Sequence, residues 1–288
     1  MKNLTKLTAL ALTAAISAAV LAGCGSSAAS SAAPAADSAA DSATTDTAAS
    51  ADLLSQIRER GTITVAMEGT WAPWTYHDEN DNLVGYDVEV ATLIAEKLGV
   101  EPEFIEGEWD GLLAGLDAGR YDIMVNGVDI TPERAEKYDF STPYAFNRTA
   151  VITKGDNDTI NSLEDLKDKK TANTISSTYA QLAEQYGADV TGVDDLNQTF
   201  ELLNSGRIDA TLNAEVTFYD YTKEHPDANV KIAVLTQDAN EVAIPLRKSD
   251  ETATLREAIN TAIDELRASG QLKDLSEKYF GTDISSND

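Results

Sequence analysis

Two rounds of strand and helix alternation, each followed by an extended run, constrain the fold of this chain more than any other feature. In the first round, residues 63–67 read as a strand. Residues 87–98 read as a helix with Val88, Leu93, Ile94 and Leu98 on one side, stopped by Gly99. A short strand follows at 103–105. A helix at 109–118, with Leu112, Leu113 and Leu116, is closed by Gly119, and 121–125 is again apolar and β-branched. Residues 144–153 form a long β-type run. Ser162-Leu-Glu-Asp165 has the form of a capping box. The pattern then restarts: strand 170–175, helix 179–186, a strand near Val190, helix 196–204 closed by Gly206, strand 208–212, a helix from Glu215 and strand 230–234. A second extended run, 241–246, precedes helices at 252–268 and 271–279.

Alternating β and α segments predict an α/β fold of two mostly parallel sheets covered by helices. The two extended runs would join them as hinge strands, giving two lobes. Residues 53–147 plus 241–288 form lobe one in this reading, and 148–240 form lobe two. Ligands of such folds bind at the carboxyl ends of strands, in the crevice between lobes.

The first 52 residues follow other rules. Lys2 and Lys6 precede an apolar stretch from Leu7 to Leu21, then Leu21-Ala22-Gly23-Cys24. This is a secretory signal over 1–23, too short for a comfortable membrane span. Its last four residues have the pattern of a bacterial lipobox, with Cys24 lipidated. Cys24 is the chain's one cysteine, which excludes a disulfide framework, a CxxC redox pair and a thiolate zinc site. Residues 26–50 contain only Ser, Ala, Pro, Asp and Thr, so 24–52 reads as a lipidated cysteine and a disordered tether with a reach of roughly 26–31 Å. A formal charge of −27 repels nucleic acid.

The chemistry concentrates in residues 126–143, NGVDITPERAEKYDFSTP, which follow strand 121–125. Thr131 can N-cap a short helix with Pro132 at its first position, turning Arg134 back toward the loop. A guanidinium fork, a glycine and a helix end suit a carboxylate, and Asp129 is placed to meet an ammonium. Together they read as a receptor for a zwitterion. The alternative is a surface turn with an internal Asp–Arg pair. By the strand-end rule Trp71, Trp74 and Trp109 also reach the cleft. Ser177 and Thr178 begin the helix after 170–175, where hydroxyl and N–H groups can hold a carboxylate oxygen. Asp78, Asn80, Asn82 and Glu89 have calcium-loop spacing, but Leu83 stands where that loop needs glycine, so a hairpin turn is the reading. Neither histidine belongs to a catalytic motif, and no cofactor or metal is expected.

The stretch from Asp129 to Tyr144, DITPERAEKYDFSTPY, resembles the signature of solute-binding proteins (family 3) of polar amino-acid ABC transporters. GTWAPWTYHDENDNLVGYDVEVATLIAEKLG (69–99), EWDGLLAGLDAGRYDIMVNG (108–127), SLEDLKDKK (162–170), ELLNSGRIDATLN (201–213) and LKDLSEKYFG (272–281) match in the same order. The resemblance implies a periplasmic-binding-protein-like fold that closes on its ligand, and no enzyme activity. It implies a small-molecule amino acid, a membrane permease as partner, and a monomer anchored by lipid on the extracytoplasmic face. By the same resemblance Arg134 binds the ligand carboxylate, Gly127 offers backbone groups, and Trp71 and Trp109 sandwich the ligand side chain. Trp74 packs beneath as core. Relatives carry Ser or Thr at Asp129. Many carry an ammonium-binding aspartate where this chain has Ala214 after Asn213, so Asp129, Glu68 or Glu215 would substitute. The segments look closest to the cystine-binding subgroup. Two alternatives share the fold, a prephenate-like dehydratase and a ligand sensor.

Overall fold

A computed structural model describes residues 52–287 of the chain. The signal, lipobox and tether readings lie outside the described residues. The first element was not foreseen: Asp52 caps α1 (Leu53–Arg60) by accepting from the Ser55 amide at 3.1 Å, and Leu53, Leu54 and Ile57 are buried. Then come β1 (Thr62–Met67), β2 (Thr70–Trp71), β3 (Thr75–His77), β4 (Leu83–Val84), α2 (Tyr86–Leu98), β5 (Glu101–Glu106), α3 (Trp109–Asp117), β6 (Ile123–Met124) and α4 (Pro132–Lys137). Three short strands follow, β7 (Tyr138–Phe140), β8 (Ala145–Asn147) and β9 (Thr149–Lys154). The second round comprises β10 (Lys170–Asn173), α5 (Thr178–Gln185), β11 (Asp189–Gly192), α6 (Leu196–Asn204), β12 (Ala210–Ala214), α7 (Glu215–Glu224) and β13 (Val230–Leu235). The chain closes with β14 (Asn240–Val242), β15 (Pro245–Arg247), α8 (Ala253–Ala268) and α9 (Gln271–Phe280).

Two sheets carry the lobes. The first has the order β5-β1-β6, all parallel, and the second the order β11-β10-β12-β9-β13. In the second sheet β10 runs parallel to β11 and β12, while β9 runs antiparallel to both its neighbours. That reversal follows from connectivity, because β9 enters from the other lobe and so points against the βα units. The expected run 144–153 is broken at Arg148 into β8 and β9, and 241–246 is broken into β14 and β15. β8 and β14 pair antiparallel and form the double crossing between lobes. The helices α2, α8 and α9 pack together, α2 lying against β5 and α1 against α8 and β1, with Ile57 of α1, Ile94 of α2, and Ile259 and Ile263 of α8 fully buried. Each such side chain contributes about 1.5–3 kcal/mol by leaving water. Among the described residues no helix is long and apolar enough to cross a membrane, and no group of side chains could hold a metal ion. The 78–84 segment is a hairpin turn: Asp78 accepts from the amides of Asn80 and Asn82 at 2.8 and 2.9 Å.

Candidate functional site

The first wall of the cleft is assembled at the ends of β1 and β6. Asn126, fully buried, clips the two ends together: its Oδ1 accepts from the Glu68 amide at 2.8 Å and its Nδ2 donates to Glu68 Oε2 at 2.7 Å. Burial lifts the half-buried Glu68 carboxyl to about 7, with Asp195 and Asp110 pushing the same way against the Asn126 hydrogen bond. Beyond Asn126 the chain must pass under Trp71. Gly127 makes this possible: its φ is +54°, and a Cβ there would sit 2.6 Å from Trp71 Cζ3. Trp71 in turn stacks on the buried Trp74 at 5.4 Å, so Trp74 is core, as the resemblance implied.

Of the backbone groups that Gly127 is expected to offer a ligand, the amide is engaged within the protein. That amide donates to Asp87 Oδ2 at 2.6 Å, and the Tyr144 hydroxyl donates to Asp87 Oδ1 at 2.8 Å. Asp87 is fully buried, and burial lifts its carboxyl to about 7. Gly127 therefore serves by lacking a side chain.

Thr131 caps α4, accepting from the Arg134 amide at 3.1 Å, and Pro132 occupies the first turn. The Arg134 guanidinium is thereby turned into the cleft. It donates to the Asp129 carbonyl at 3.0 Å and the Ser176 carbonyl at 3.3 Å, and lies 5.3 Å over the Trp109 ring. The internal Asp–Arg pair of the alternative reading is thus a contact to the Asp129 backbone. The Asp129 carboxylate points elsewhere, accepting from the Thr178 hydroxyl at 2.6 Å and from Asn240 Nδ2 at 3.4 Å. Burial raises it to about 6, while Thr178 and Arg134 pull it down.

The second wall comes from the ends of β10, β11 and β12. Ser177 caps α5, accepting from the Ala180 amide at 3.1 Å and donating to the Thr174 carbonyl at 2.6 Å. The hydroxyls of Ser177 and Thr178, expected to hold a ligand carboxylate, are therefore already committed within the protein. Asn213 Oδ1 accepts from Trp71 Nε1 at 3.2 Å, across the cleft. Ala214 is buried at the end of β12, and Glu215 turns away to a bidentate pair with Arg148 at 2.9 and 3.0 Å, so it does not reach the cleft.

Between the walls lies a cavity of about 530 Å³, open solvent at its mouth included, lined by Glu68, Trp71, Trp109, Gly127, Asp129, Arg134, Ser177, Thr178 and Asn213 among the residues that the sequence nominated, whereas Trp74 and Glu215 do not line it. Asn173, Thr174, Tyr179, Asp195, Leu196 and Thr199 line it too and were missed. The strand-end rule could have found Asn173 and Asp195, which stand at and just beyond the ends of β10 and β11. Nothing in the sequence points to Tyr179, whose ring meets Trp71 edge-on at 6.5 Å. Arg134 is the one cation among the described residues lining the cavity, against Glu68, Asp129 and Asp195. Ser176 also reaches across, its hydroxyl 2.6 Å from Asp110. With Trp71–Asn213, Thr178–Asp129 and Arg134–Ser176, these contacts hold the lobes shut.

Two lobes on a double crossing, meeting over a cavity lined by aromatic faces and by charges of both signs, define a ligand-binding protein of the cleft-closing type. Residues 63–282 match the bacterial extracellular solute-binding proteins, family 3, and the chain belongs to that family. It is similar to the L-cystine-binding protein TcyA of Bacillus subtilis (strain 168), 39% identical over 241 residues that cover 83% of this chain and 89% of that one. Among solved structures it resembles an ancestral arginine-binding protein bound to arginine, at 38% identity and TM-score 0.72, covering 77% of this chain and 99% of that one. The L-cystine solute receptor of Neisseria gonorrhoeae in the unliganded open conformation is 41% identical but superposes with a TM-score of 0.57, covering 83% and 100%. At nearly equal identity the liganded protein superposes better than the open one, in agreement with the hydrogen bonds that bridge the cleft here.

Proposed function

We propose that this chain captures an α-amino acid outside the cytoplasm and delivers it to the permease of an ABC transporter. The observation that carries this reading is the placement of Arg134 and Asp129, of opposite charge and both buried, on the wall of one closed cavity. Arg134 meets the α-carboxylate and Asp129, steadied by Thr178, meets the α-ammonium, replacing the anion that Ala214 lacks. Trp71 and Trp109 flank the side chain. The named relatives support transport over catalysis. They include the B. subtilis cystine-binding protein and a probable amino-acid ABC transporter-binding protein of Haemophilus influenzae, so the chain is a binding protein and not an enzyme. Cystine is among the candidate ligands. Within the same reading, the lobes divide at 147/148 and 240/241, and the chain acts as a monomer. It is tied by lipidated Cys24 to the outer face of a bacterial membrane, the tether giving the lobes freedom to dock.

Calorimetric titration of the chain with amino acids and their deaminated analogues tests the assignment. Asp129→Asn is expected to weaken amino-acid binding by roughly 2–5 kcal/mol, the range for truncating one partner of a buried charge pair, and the keto-acid analogue far less. Equal losses for both would refute the ammonium role. Retention of a Cys24→Ala chain in the membrane fraction would refute the anchor.

A further inference from the structure

Asn173 closes β10 with only 3% of its surface exposed. Its Nδ2 donates to the Leu212 carbonyl at 2.7 Å and approaches Thr211 Oγ1 at 3.4 Å. These contacts fix the orientation of the amide, because a flipped side chain would set Oδ1 against a carbonyl oxygen. Oδ1 is left as a buried acceptor with no partner, on a residue that lines the cavity. A buried acceptor without a donor loses its hydration with nothing in return. A ligand N–H group would satisfy it.

The surroundings say what kind of N–H. Asn173 pairs with Gly192 in the parallel ladder, and its carbonyl accepts from the Val193 amide at 3.2 Å. Two residues on, Asp195 caps α6, accepting from the Gln198 amide at 3.0 Å, and also lines the cavity. Glu68 faces it from the other wall, where Asp195 and Asp110 both act on its charge. Arg134, the cavity's cation, is engaged at the α5 end with Asp129 and Ser176. This part of the cavity thus combines an orphan acceptor with two carboxyls, Asp195 and Glu68, that line it from opposite walls.

We propose that Asn173 and Asp195, with Glu68 opposite, form a subsite for a second cationic N–H group at the far end of the ligand. This narrows the ligand to α-amino acids bearing two cationic nitrogens, such as an arginine, a lysine or the double amino acid cystine. The inference rests on the amino-acid reading above, with Arg134 and Asp129 holding the first α-centre.

Three matched pairs test it by calorimetry on the purified chain: arginine with citrulline, lysine with norleucine, and cystine with the mixed disulfide of cysteine and 3-mercaptopropionate. Citrulline loses the second positive charge but keeps N–H groups, whereas norleucine and the mixed disulfide lose the second amino group altogether. At least one parent is expected to bind ten or more times tighter than its analogue. Asp195→Asn, which keeps the helix cap, and Asn173→Ala should each shrink that ratio at least fivefold, with circular dichroism confirming the fold. Should Asn173→Ala not fold, Asp195→Asn carries the test. A ratio near one, a ratio unmoved by the variants, or tighter binding of a neutral amino acid such as glutamine overturns the subsite while leaving the amino-acid reading intact. No binding of any parent or analogue by the folded chain overturns both.

Discussion

The two walls of the cleft are built from different chemistry. The first holds the fixed charges and aromatic faces: Arg134, Asp129, Glu68, Trp71 and Trp109. They are placed by short, locally capped turns and braced from behind by Asn126 and Asp87. The second presents mostly neutral dipoles, Asn173, Ser177, Thr178 and Asn213, with Asp195 as its one carboxylate on the cavity. Most of these are already hydrogen-bonded, to each other or across the cleft. A wall of buried charge can hold a zwitterion before closure. A wall of dipoles that are mostly satisfied, Asn173 Oδ1 excepted, gains chiefly by the closing movement that brings it over the ligand. The contrast implies that ligand first docks on the lobe carrying Arg134 and that the second lobe then completes the enclosure, by hinge motion in β8 and β14.

The sharpest way to break this contrast is to remove the first wall's cation. Arg134→Ala should weaken amino-acid binding by about 2–5 kcal/mol, because a carboxylate is left desolvated without its partner, while the ligand-free thermal midpoint moves little. Affinity held within about threefold would make Arg134 structural. Gly127→Ala should act on folding itself. A methyl 2.6 Å from Trp71 at a φ of +54° costs about 1–3 kcal/mol and should lower the midpoint in denaturant titration and disturb tryptophan emission. An unchanged midpoint would show that Trp71 yields freely.

The acidic groups predict opposite pH trends for stability and binding. Asp87, Glu68 and Asp129 are raised by burial from 3.8, 4.5 and 3.8 to about 7, 7 and 6. Between about 4 and 7 the folded chain therefore holds protons that the unfolded chain has released. Stability without ligand should fall as pH rises through this window and level off above it. Amino-acid binding needs ionised Asp129, so affinity should rise about tenfold from pH 5 to pH 7, with proton release visible as a buffer-dependent heat near pH 6. Parallel trends in midpoint and affinity would contradict the assignment. Asp87→Asn should flatten the stability slope and leave the affinity slope in place. The smallest effect belongs to the second wall. Asn213→Ala removes the bond to Trp71 and should cost about 1 kcal/mol of affinity through a looser closed state, with a faster off-rate.

The walls also differed in how far the sequence could be read. The Thr131 cap, Pro132 and the inward turn of Arg134 are local, set within one turn of helix, and pattern alone fixes them. Trp71, Trp109 and Glu68 followed from standing beside strand ends. Asn173 and Asp195 stand at and beyond the ends of β10 and β11 and were within reach of the same rule, whereas Thr199, inside α6, joins the site only when the second lobe is laid over the first. Ser177 and Thr178 stand at the start of α5, and their hydroxyls bond to Thr174 and Asp129, partners that no local pattern announces. The engagement of the Gly127 amide by Asp87, 40 residues earlier, is a contact of the same long-range kind. The strand 121–125 shrank to β6 because Asp122 instead turns its carboxylate to the Thr64 amide at 2.8 Å. The helix α1 was overlooked because it directly follows a tract of small polar residues.

Trp71, Trp74 and Trp109 are all the tryptophans in the chain, and all stand on or beneath one wall of the cavity. The near-ultraviolet emission of this protein is therefore dominated by its cleft. A charged guanidinium lies over one indole, and another indole loses its hydrogen bond to Asn213 when the lobes part. Opening and filling should each leave their own spectral mark. The unlabelled molecule thus carries a built-in optical gauge of occupancy, readable in a cuvette without attaching any dye.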